Sequence, residues 1–500
     1  MKKKILLIQL NLVLRDTFRR IIVLYILFSV GLQYGCKKFV EVEAPVTSIN
    51  SANIYNNDFT ATAVLTGVYT DLSAGLLDNG LRAVTLFSAL SSDELTLYGG
   101  TSSSAASYIP YYMNSLSRSN VINHNGNIYS VIYTINSAIE GLTASHTLTS
   151  SVKQQLLGEA KFMRGFCYFY LTGLYGDVPL VLTTDYKINS IMAKSPKGLV
   201  YDQIIADLKD AQNLLSEKYL KSDAVTAYPS GTEERVRPTK WAATALLARI
   251  YLYNEKWSYA ERESTSIINH YSLYQMTDLA NTFLKNNMEA IWQLQPVNKG
   301  GQTDDAMTFV LPSSGPSSAY FLYLSQYLID SFEANDLRAK VWVNSVTVGG
   351  VTYYYPFKYK VIDPNAEVSE YPVVLRLAEQ YLIRAEARIQ NGDIGNGIAD
   401  LNVIRSRATD KHQGAVQLPK LSGLINKGDA LKAVLHERQV ELFMEWGHRW
   451  FDLKRMGYVD EVMKTVTKDK GGIWNSNWQL YPFSQSDLQY DPNLVQNIGY

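Results

Sequence analysis

The stretch Gly158–Val181 reads GEAKFMRGFCYFYLTGLYGDVPLV and decides the fold class. Together with the residues before it, this stretch spaces its apolar side chains at three- and four-residue steps, which is typical of a helix buried along one face. The pattern predicts a long helix from Ser151 to Leu174. Gly176 and Pro179 follow it, and a glycine followed by a proline is a stop signal for a helix. Because such helical patterns dominate the chain, we expect a mainly helical fold.

Other helical patterns fall into pairs. Leu247–Asn254 resembles Arg384–Asn391 in its small residues, its length and its turn, and each segment is followed by a second helical pattern. Small residues let two helices approach closely, as in tetratricopeptide-like hairpins. Such hairpins cannot bury their apolar faces alone and therefore stack. We expect about four helical pairs, at residues 55–72 with 121–141, 151–215, 239–270 and 375–408.

Two segments between the helical pairs have a different composition. Residues 73–120 include a loop region rich in Ser, Gly and Tyr. Residues 289–372 include two alternating patterns, at Ala290–Gln295 and Val351–Lys360, that are typical of β-strands. We expect these two segments to form a loop-rich part with short strands.

The C-terminal part, residues 429–500, begins with a helical pattern that ends near Met456 and closes with an extended cover. Glu437 and Glu441 lie four residues apart on one face of this helix, and Arg438 can reach the next two carboxylates. We interpret these charges as structural ion pairs. A catalytic pair of carboxylates is the less favoured interpretation.

The composition limits the class of function. The chain has 500 residues, with 47 basic and 47 acidic ones, so no overall field attracts nucleic acid. Its hydrophobic content of 46% is that of a folded protein. The 35 tyrosines are more than core packing usually requires. A tyrosine ring with its polar tip suits a half-wet surface, where a sugar can lay its C–H face.

The N-terminus has the features of an export signal. An apolar stretch at Ile21–Leu32 is too short to span a membrane comfortably and runs into Gln33-Tyr34-Gly35-Cys36. A small residue before a cysteine resembles a bacterial lipoprotein cleavage site. We therefore expect residues 1–36 to be a lipoprotein signal peptide ending at Cys36, which is lipidated. An ordinary signal peptide with an incidental cysteine is the alternative. The basic residues before the apolar stretch are Lys2, Lys3, Lys4, Arg15, Arg19 and Arg20.

Several stretches, in order along the chain, resemble one family. GEAKFMRGF followed by LYGDVPL resembles its first signature, and ERQVEL followed by GHRWFDLKR resembles its C-terminal signature. The chain is similar in these motifs to the SusD/RagB family of outer-membrane lipoproteins, from Cys36 to Tyr500. The matching segments are Gly158–Leu180, Leu375–Ala387, Asn402–Ala408, Glu437–Leu442, Gly447–Arg455 and Leu480–Asn497.

This resemblance implies a SusD-like fold in which residues 37–500 form a single domain. It also implies a surface-exposed protein, anchored to the cell outer membrane by lipid. The implied partner is a SusC-type TonB-dependent transporter, which receives the oligosaccharide that this chain captures. The resemblance implies neither a catalytic role nor a cofactor, and no Asp-rich loop of the sequence demands calcium.

The candidate ligand contacts are aromatic and polar residues of the two variable segments. A stacked sugar needs a rigidly held ring with amides or carboxylates nearby for its hydroxyls. In the family both segments tend to border the ligand site. The candidates are Asp93, Tyr98, Tyr111, Asn114, Trp292, Tyr320 and Tyr323.

Two other functions remain open at this point. A member of the same family that binds peptides would have a narrow polar cleft instead of an aromatic platform. A helical-repeat scaffold that binds only protein would have an apolar patch on its helical face. An enzyme is disfavoured because the sequence has no G-x-S-x-G, H-E-x-x-H or P-loop motif.

Overall fold

The computed structural model describes residues 53–73, 80–122, 124–297 and 300–500, together with Arg15 and Arg19. Cys36, the predicted lipidation site, lies outside the described residues. Tyr55–Tyr500 form one compact unit, and Met1–Ile54 are assigned to another. Within the described ranges, no helix combines the length and the apolar content that crossing a bilayer requires.

Helices make up about half of the described structure beyond residue 57. In chain order they are α1 (Asp58–Ser73), α2 (Ala83–Ser91), α3 (Ile109–Tyr112), α4 (His124–Ala144), α5 (Ser150–Tyr175), α6 (Tyr186–Asn189), α7 (Lys197–Leu214), α8 (Lys240–Tyr253), α9 (Trp257–Ile268), α10 (Asp304–Phe309), α11 (Gln326–Ser331), α12 (Arg338–Val341), α13 (Leu377–Gln390), α14 (Ile394–Arg407), α15 (Lys427–Leu442), α16 (His448–Arg455), α17 (Val459–Asp469) and α18 (Gln485–Tyr490).

The described strands are short and pair two by two, always antiparallel: β1 (Leu95–Leu97) with β5 (Leu322–Leu324), β2 (Val178–Pro179) with β3 (Lys194–Ser195), β4 (Ala290–Gln293) with β8 (Val373–Arg376), and β6 (Val343–Val348) with β7 (Val351–Pro356). The prediction of a mainly helical fold with short strands is confirmed.

The long helices pack in a series, α4 on α5, then α7, α8, α9, α13 and α14. Small residues allow the closest approaches: a Cβ added to Gly158 would lie 2.9 Å from the side chain of Leu215, and one added to Gly165 would lie 3.2 Å from Leu208. The glycines of the stretch quoted first therefore let α5 lie against α7 and the residue that follows it. Gly176 ends α5 with a φ of 75°, a conformation that glycine adopts without steric cost.

Buried arginine–carboxylate pairs join the helices of this series. Each pair is bidentate, with donor–acceptor distances between 2.6 and 2.9 Å. Such planar, charge-assisted pairs fix the relative position of two helices more strictly than apolar packing does. The pairs are Arg164 with Asp207 between α5 and α7, Arg249 with Glu379 between α8 and α13, and Arg384 with Asp400 between α13 and α14.

The β4 strand lies in the core. Its pattern led us to expect an alternation of buried and exposed side chains, but all four of its residues are buried. Trp292 packs edge-on against Phe162 and Phe166 of α5, with ring centroids 4.9 and 5.3 Å away, and donates from Nε1 to the carbonyl of Val236. The burial of β4 follows from α5, whose Phe162 and Phe166 contact Trp292, and from α8, which packs against both β4 and β8.

The helix expected to end near Met456 is interrupted. α15 stops at Leu442, and α16 starts at His448. Met444, Trp446 and Gly447 all have positive φ, at 56°, 47° and 73°, which no α-helix accommodates. The indole of Trp446 is buried and donates to the carbonyl of Val373 at 2.9 Å, which holds this turn in place.

A buried ion network surrounds the carboxylates of α15. Glu441 accepts hydrogen bonds from Arg338, Arg376 and Arg407, which come from α12, β8 and α14. Glu437, one turn earlier, accepts from Arg338 at 2.6 Å and from Arg405 at 3.1 Å. The interpretation of these carboxylates as structural ion pairs is confirmed.

The expected partner of Arg438 was wrong. Its guanidinium pairs with Asp452 of α16 at 2.7 Å and not with Glu441 or Glu445. Glu445 forms ion pairs with Arg376 and Lys358, and Glu441 forms ion pairs with the arginines of neighbouring elements. The break after Leu442 folds α16 back, so that Asp452 reaches the face of α15 that carries Arg438.

The network yields a first prediction, on stability. Glu441→Gln removes one buried charge and leaves three arginines with less compensation, so the free energy of unfolding should fall by about 3–5 kcal/mol. The matched control is Glu217→Gln, whose partner Lys240 is also exposed, and this change should cost less than about 1 kcal/mol. Urea titration of both variants measures the difference, and equal effects would contradict the role of the network.

A second prediction concerns pH. Burial, and then the neighbouring Asp93, raise the pKa of Glu94 from 4.5 to about 8. Between these values the folded chain holds one proton more than the unfolded chain, so this group lowers the free energy of unfolding as pH rises. The free energy of unfolding of Glu94→Gln should therefore rise relative to that of the wild type as the pH increases from 5 to 7, by up to about 1.4 kcal/mol per pH unit. A difference that does not change with pH would contradict the assigned pKa.

Candidate functional site

Four of the seven candidate contacts are buried in the fold. Asp93 forms a bidentate pair with Arg449, and the amide of Asn114 donates to the carbonyl of Ser91 and the hydroxyl of Thr467, both at 3.0 Å. The rings of Tyr111 and Trp292 have no exposed surface. Their burial removes Asp93, Tyr111, Asn114 and Trp292 from the surface that a ligand can reach, and gives them packing roles.

The other three candidates remain at the surface. Tyr98 and Tyr320 are 39% and 40% exposed, and Tyr323 is half-buried. Tyr98 follows β1 and Tyr323 lies in β5, and the amide of Tyr98 donates to the carbonyl of Phe321. The pairing of the two variable segments therefore brings together tyrosines that lie more than 200 residues apart in the sequence.

A fourth ring, Tyr353 of β7, lies between two of these tyrosines. Its ring centroid is 5.2 Å from that of Tyr323 and 6.2 Å from that of Tyr98, and both pairs meet edge to face. We call Tyr98, Tyr323 and Tyr353 the tyrosine cluster. Edge-to-face contacts fix the orientation of aromatic rings, so the cluster is a preorganised aromatic surface.

Sequence reasoning missed Tyr353, although the sequence carries a signal for it. Gly349 and Gly350 form a two-residue turn that sets the register of β6 and β7 and places Tyr353 opposite Val346. The same kind of local pattern orients Tyr323. In both β1 and β5 the first and third residues are buried leucines, so the middle residues, Thr96 and Tyr323, lie opposite each other and face outward.

A cavity of about 510 Å³ is lined by residues next to Tyr323 in the chain, although none of the three tyrosines of the cluster is among its lining residues. Phe321 and Leu322, which adjoin Tyr323 in the chain, line it together with Tyr108 from the first variable segment. The ring of Tyr108 packs on Phe321 with centroids 5.0 Å apart. The remaining lining residues are Leu86, Ser104, Ala105, Met307, Thr308, Ser318 and Ala319, and none of the cavity's lining residues is charged.

The hydroxyl group of Tyr323 stays protonated at physiological pH. Burial, and then the neighbouring tyrosines Tyr112, Tyr353 and Tyr98, raise the pKa of Tyr323 to about 12. A protonated phenol both donates and accepts a hydrogen bond, which matches the hydroxyl groups of a neutral ligand. The surface therefore combines apolar ring faces with hydroxyls that can serve as donor or acceptor.

The acidic side chains that precede β1 do not reach this surface. Asp93 and Glu94 precede β1 and are both buried, the second accepting from the amide of Met444 at 3.2 Å. In the described part of the chain, no cluster of three or more His, Cys, Asp or Glu side chains could hold a metal ion.

Two family models match the chain. One is described as the SusD family and matches residues 343–500. The other is described as starch-binding, associating with the outer membrane, and matches residues 101–252. A SusD-like protein of Formosa agariphila, P25, is 25% identical over 436 residues, which cover 75% of this chain and 78% of that protein.

Solved structures have the same fold. A SusD superfamily protein from Bacteroides vulgatus superposes with a TM-score of 0.74 at 23% identity, over 89% of this chain and 99% of that one. Surface glycan-binding protein A from Bacteroides uniformis superposes with a TM-score of 0.72 at 21% identity, over 88% of this chain and 99% of that one. With these motifs, models and relatives in agreement, the chain belongs to the SusD/RagB family.

Proposed function

We propose that this chain is a surface lipoprotein that binds oligosaccharides at the tyrosine cluster and delivers them to a SusC-type TonB-dependent transporter. Lipid on Cys36 anchors it to the outer membrane. The observation that carries the proposal is a set of edge-to-face tyrosines, with Tyr98 exposed and the other two half-buried, and a cavity without charged lining residues at the adjoining Phe321 and Leu322.

The geometry suits a sugar in three respects. The exposed ring of Tyr98 offers a face for the C–H groups of a pyranose, and Tyr353 holds that ring from the side. The cavity volume of about 510 Å³ lies in the range of small-ligand pockets. Ser104, Thr308 and Ser318 supply hydroxyls along its wall, where they can exchange hydrogen bonds with those of the sugar.

The same surface supports binding without chemistry. Hydrolysis of a glycosidic bond needs two carboxyl groups that flank the bond, at separations of roughly 5–10 Å. The cluster and the cavity present no carboxylate. Of the acidic residues near them in the chain, Asp93, Glu94 and Asp304 are buried, and Asp305 pairs with Arg82. We therefore propose that the ligand leaves this surface unchanged.

The comparisons support this function through what the relatives are said to bind. One matching family model is described as starch-binding, and a structural neighbour is a surface glycan-binding protein. Delivery to a transporter and attachment through lipid rest on the family resemblance and on the N-terminal sequence.

A third prediction tests the site. Tyr353→Ala removes the central ring and releases the other two, so the affinity for a bound oligosaccharide should fall at least tenfold, which corresponds to about 1.4 kcal/mol. Tyr271→Ala, at an exposed tyrosine outside the cluster, is the matched control and should leave affinity unchanged. Calorimetry against a panel of neutral oligosaccharides measures both. An unchanged affinity in Tyr353→Ala would place the ligand elsewhere.

A fourth prediction tests the anchor. Cys36→Ser should abolish the incorporation of labelled palmitate and release the chain from the membrane fraction, since lipid anchoring requires the thiol of the first mature residue. Cys167→Ala is the control, because Cys167 is buried within α5 and should have no part in anchoring. Palmitate incorporation in Cys36→Ser at the wild-type level would refute lipidation at this residue.

A further inference from the structure

A second cavity of about 510 Å³ lies on a part of the molecule that shares no residue with the tyrosine cluster. It is formed where the end of α5, the start of α7, the end of α16 and the C-terminal tail meet. Lys194, Lys197 and Lys454 line it. We call it the lysine cavity.

The lining of the lysine cavity carries an excess of positive charge. Asp177 is its single lining carboxylate, and one oxygen of Asp177 already accepts from the backbone amide of Lys197 at 2.7 Å. Arg455 also lines the cavity, but Glu386 and Asp452 neutralise its guanidinium. Three lysine side chains therefore line the cavity with one carboxylate, and the ammonium group of Lys194 also donates to the side-chain oxygen of Asn497 at 3.1 Å.

Lys454 is the least compensated of the three. Its ammonium group donates to the carbonyl of Gly173 and lies 5.0 Å from the ring centroid of Phe451, and no carboxylate of the described residues pairs with it. Burial, and then the charge of Lys197, lower the pKa of Lys454 well below its ordinary value. An anion in the cavity would supply the missing countercharge.

We infer that the lysine cavity is a second binding site, for a carboxylate or sulfate group that contacts Lys194, Lys197 and Lys454. The group can be carried by an acidic sugar residue or can be a free oxyanion. This site is separate from the proposed binding site at the tyrosine cluster, whose neighbouring cavity has no charged lining residue.

The size of the cavity favours an anion that is part of a larger molecule. A free sulfate fills only a small part of about 510 Å³. The ring of Tyr201 and the amide of Asn477 also line the cavity, and these groups suit the body of a sugar. An acidic oligosaccharide is therefore the expected ligand.

The test is calorimetry of the mature chain with three probes: trigalacturonate, a neutral trisaccharide and inorganic sulfate. Trigalacturonate should bind, and its affinity should fall as salt rises. The double variant Lys194→Met with Lys197→Met should weaken it at least tenfold. Lys209→Met, at an exposed position of the same helix α7, is the matched control and should not change affinity.

Further arms separate the outcomes. Lys454→Met should abolish binding if the variant folds. If it does not fold, the double variant at the half-buried Lys194 and the exposed Lys197 keeps the test valid. If sulfate binds and trigalacturonate does not, the result would support an oxyanion site and identify the free ion as its ligand. Tyr353→Ala should leave trigalacturonate binding intact, which distinguishes this site from the tyrosine cluster. The inference is overturned if neither anion binds, if the double variant binds as the wild type does, or if the neutral trisaccharide binds equally well.

Discussion

The structure depends on a few buried carboxylates, above all Glu441, and on the arginines that surround them. Arg338 comes from the second variable segment. Arg376 immediately precedes the last helical pair, α13 and α14, and Arg407 is the final residue of α14. A buried carboxylate loses its hydration, and only several close donors offset that loss. The network is therefore complete only when the variable segment and the helical series are in their native relative position, so it couples the two parts of the fold.

The same coupling positions the tyrosine cluster, which we propose as the ligand surface. The turn after α15 directs the amide of Met444 to Glu94, and α16 brings Arg449 to Asp93. Asp93 and Glu94 immediately precede β1, whose pairing with β5 sets the places of Tyr98 and Tyr323. These two buried carboxyl groups thus support the tyrosine surface from within the fold, as the proposed binding of a neutral polyhydroxyl ligand requires of a rigid site.

The helices could be predicted from the sequence because their signals are local: an apolar stripe, a stop at Gly176, and small residues where two helices touch. The site could be predicted only in part. Tyr98 and Tyr323 were among the candidates and belong to the surface that we propose as the site, but Trp292 and Asp93 are buried by segments far away in the chain, which no local pattern reveals. Tyr353 was missed because its role depends on the pairing of β1 with β5 and on their contact with the β6–β7 hairpin. The break in the helix after Leu442 depends on contacts of the same long-range kind.

The central claim is that the two variable segments, joined through β1, β5 and β7, form the ligand surface. Hydrogen–deuterium exchange of the mature chain, with and without a saturating oligosaccharide, tests it most directly. The account predicts slower exchange of the amides in residues 95–98, 320–324 and 351–356, with the helical series from α4 to α14 unchanged. Protection confined to the helical series, with these three segments unaffected, would contradict it.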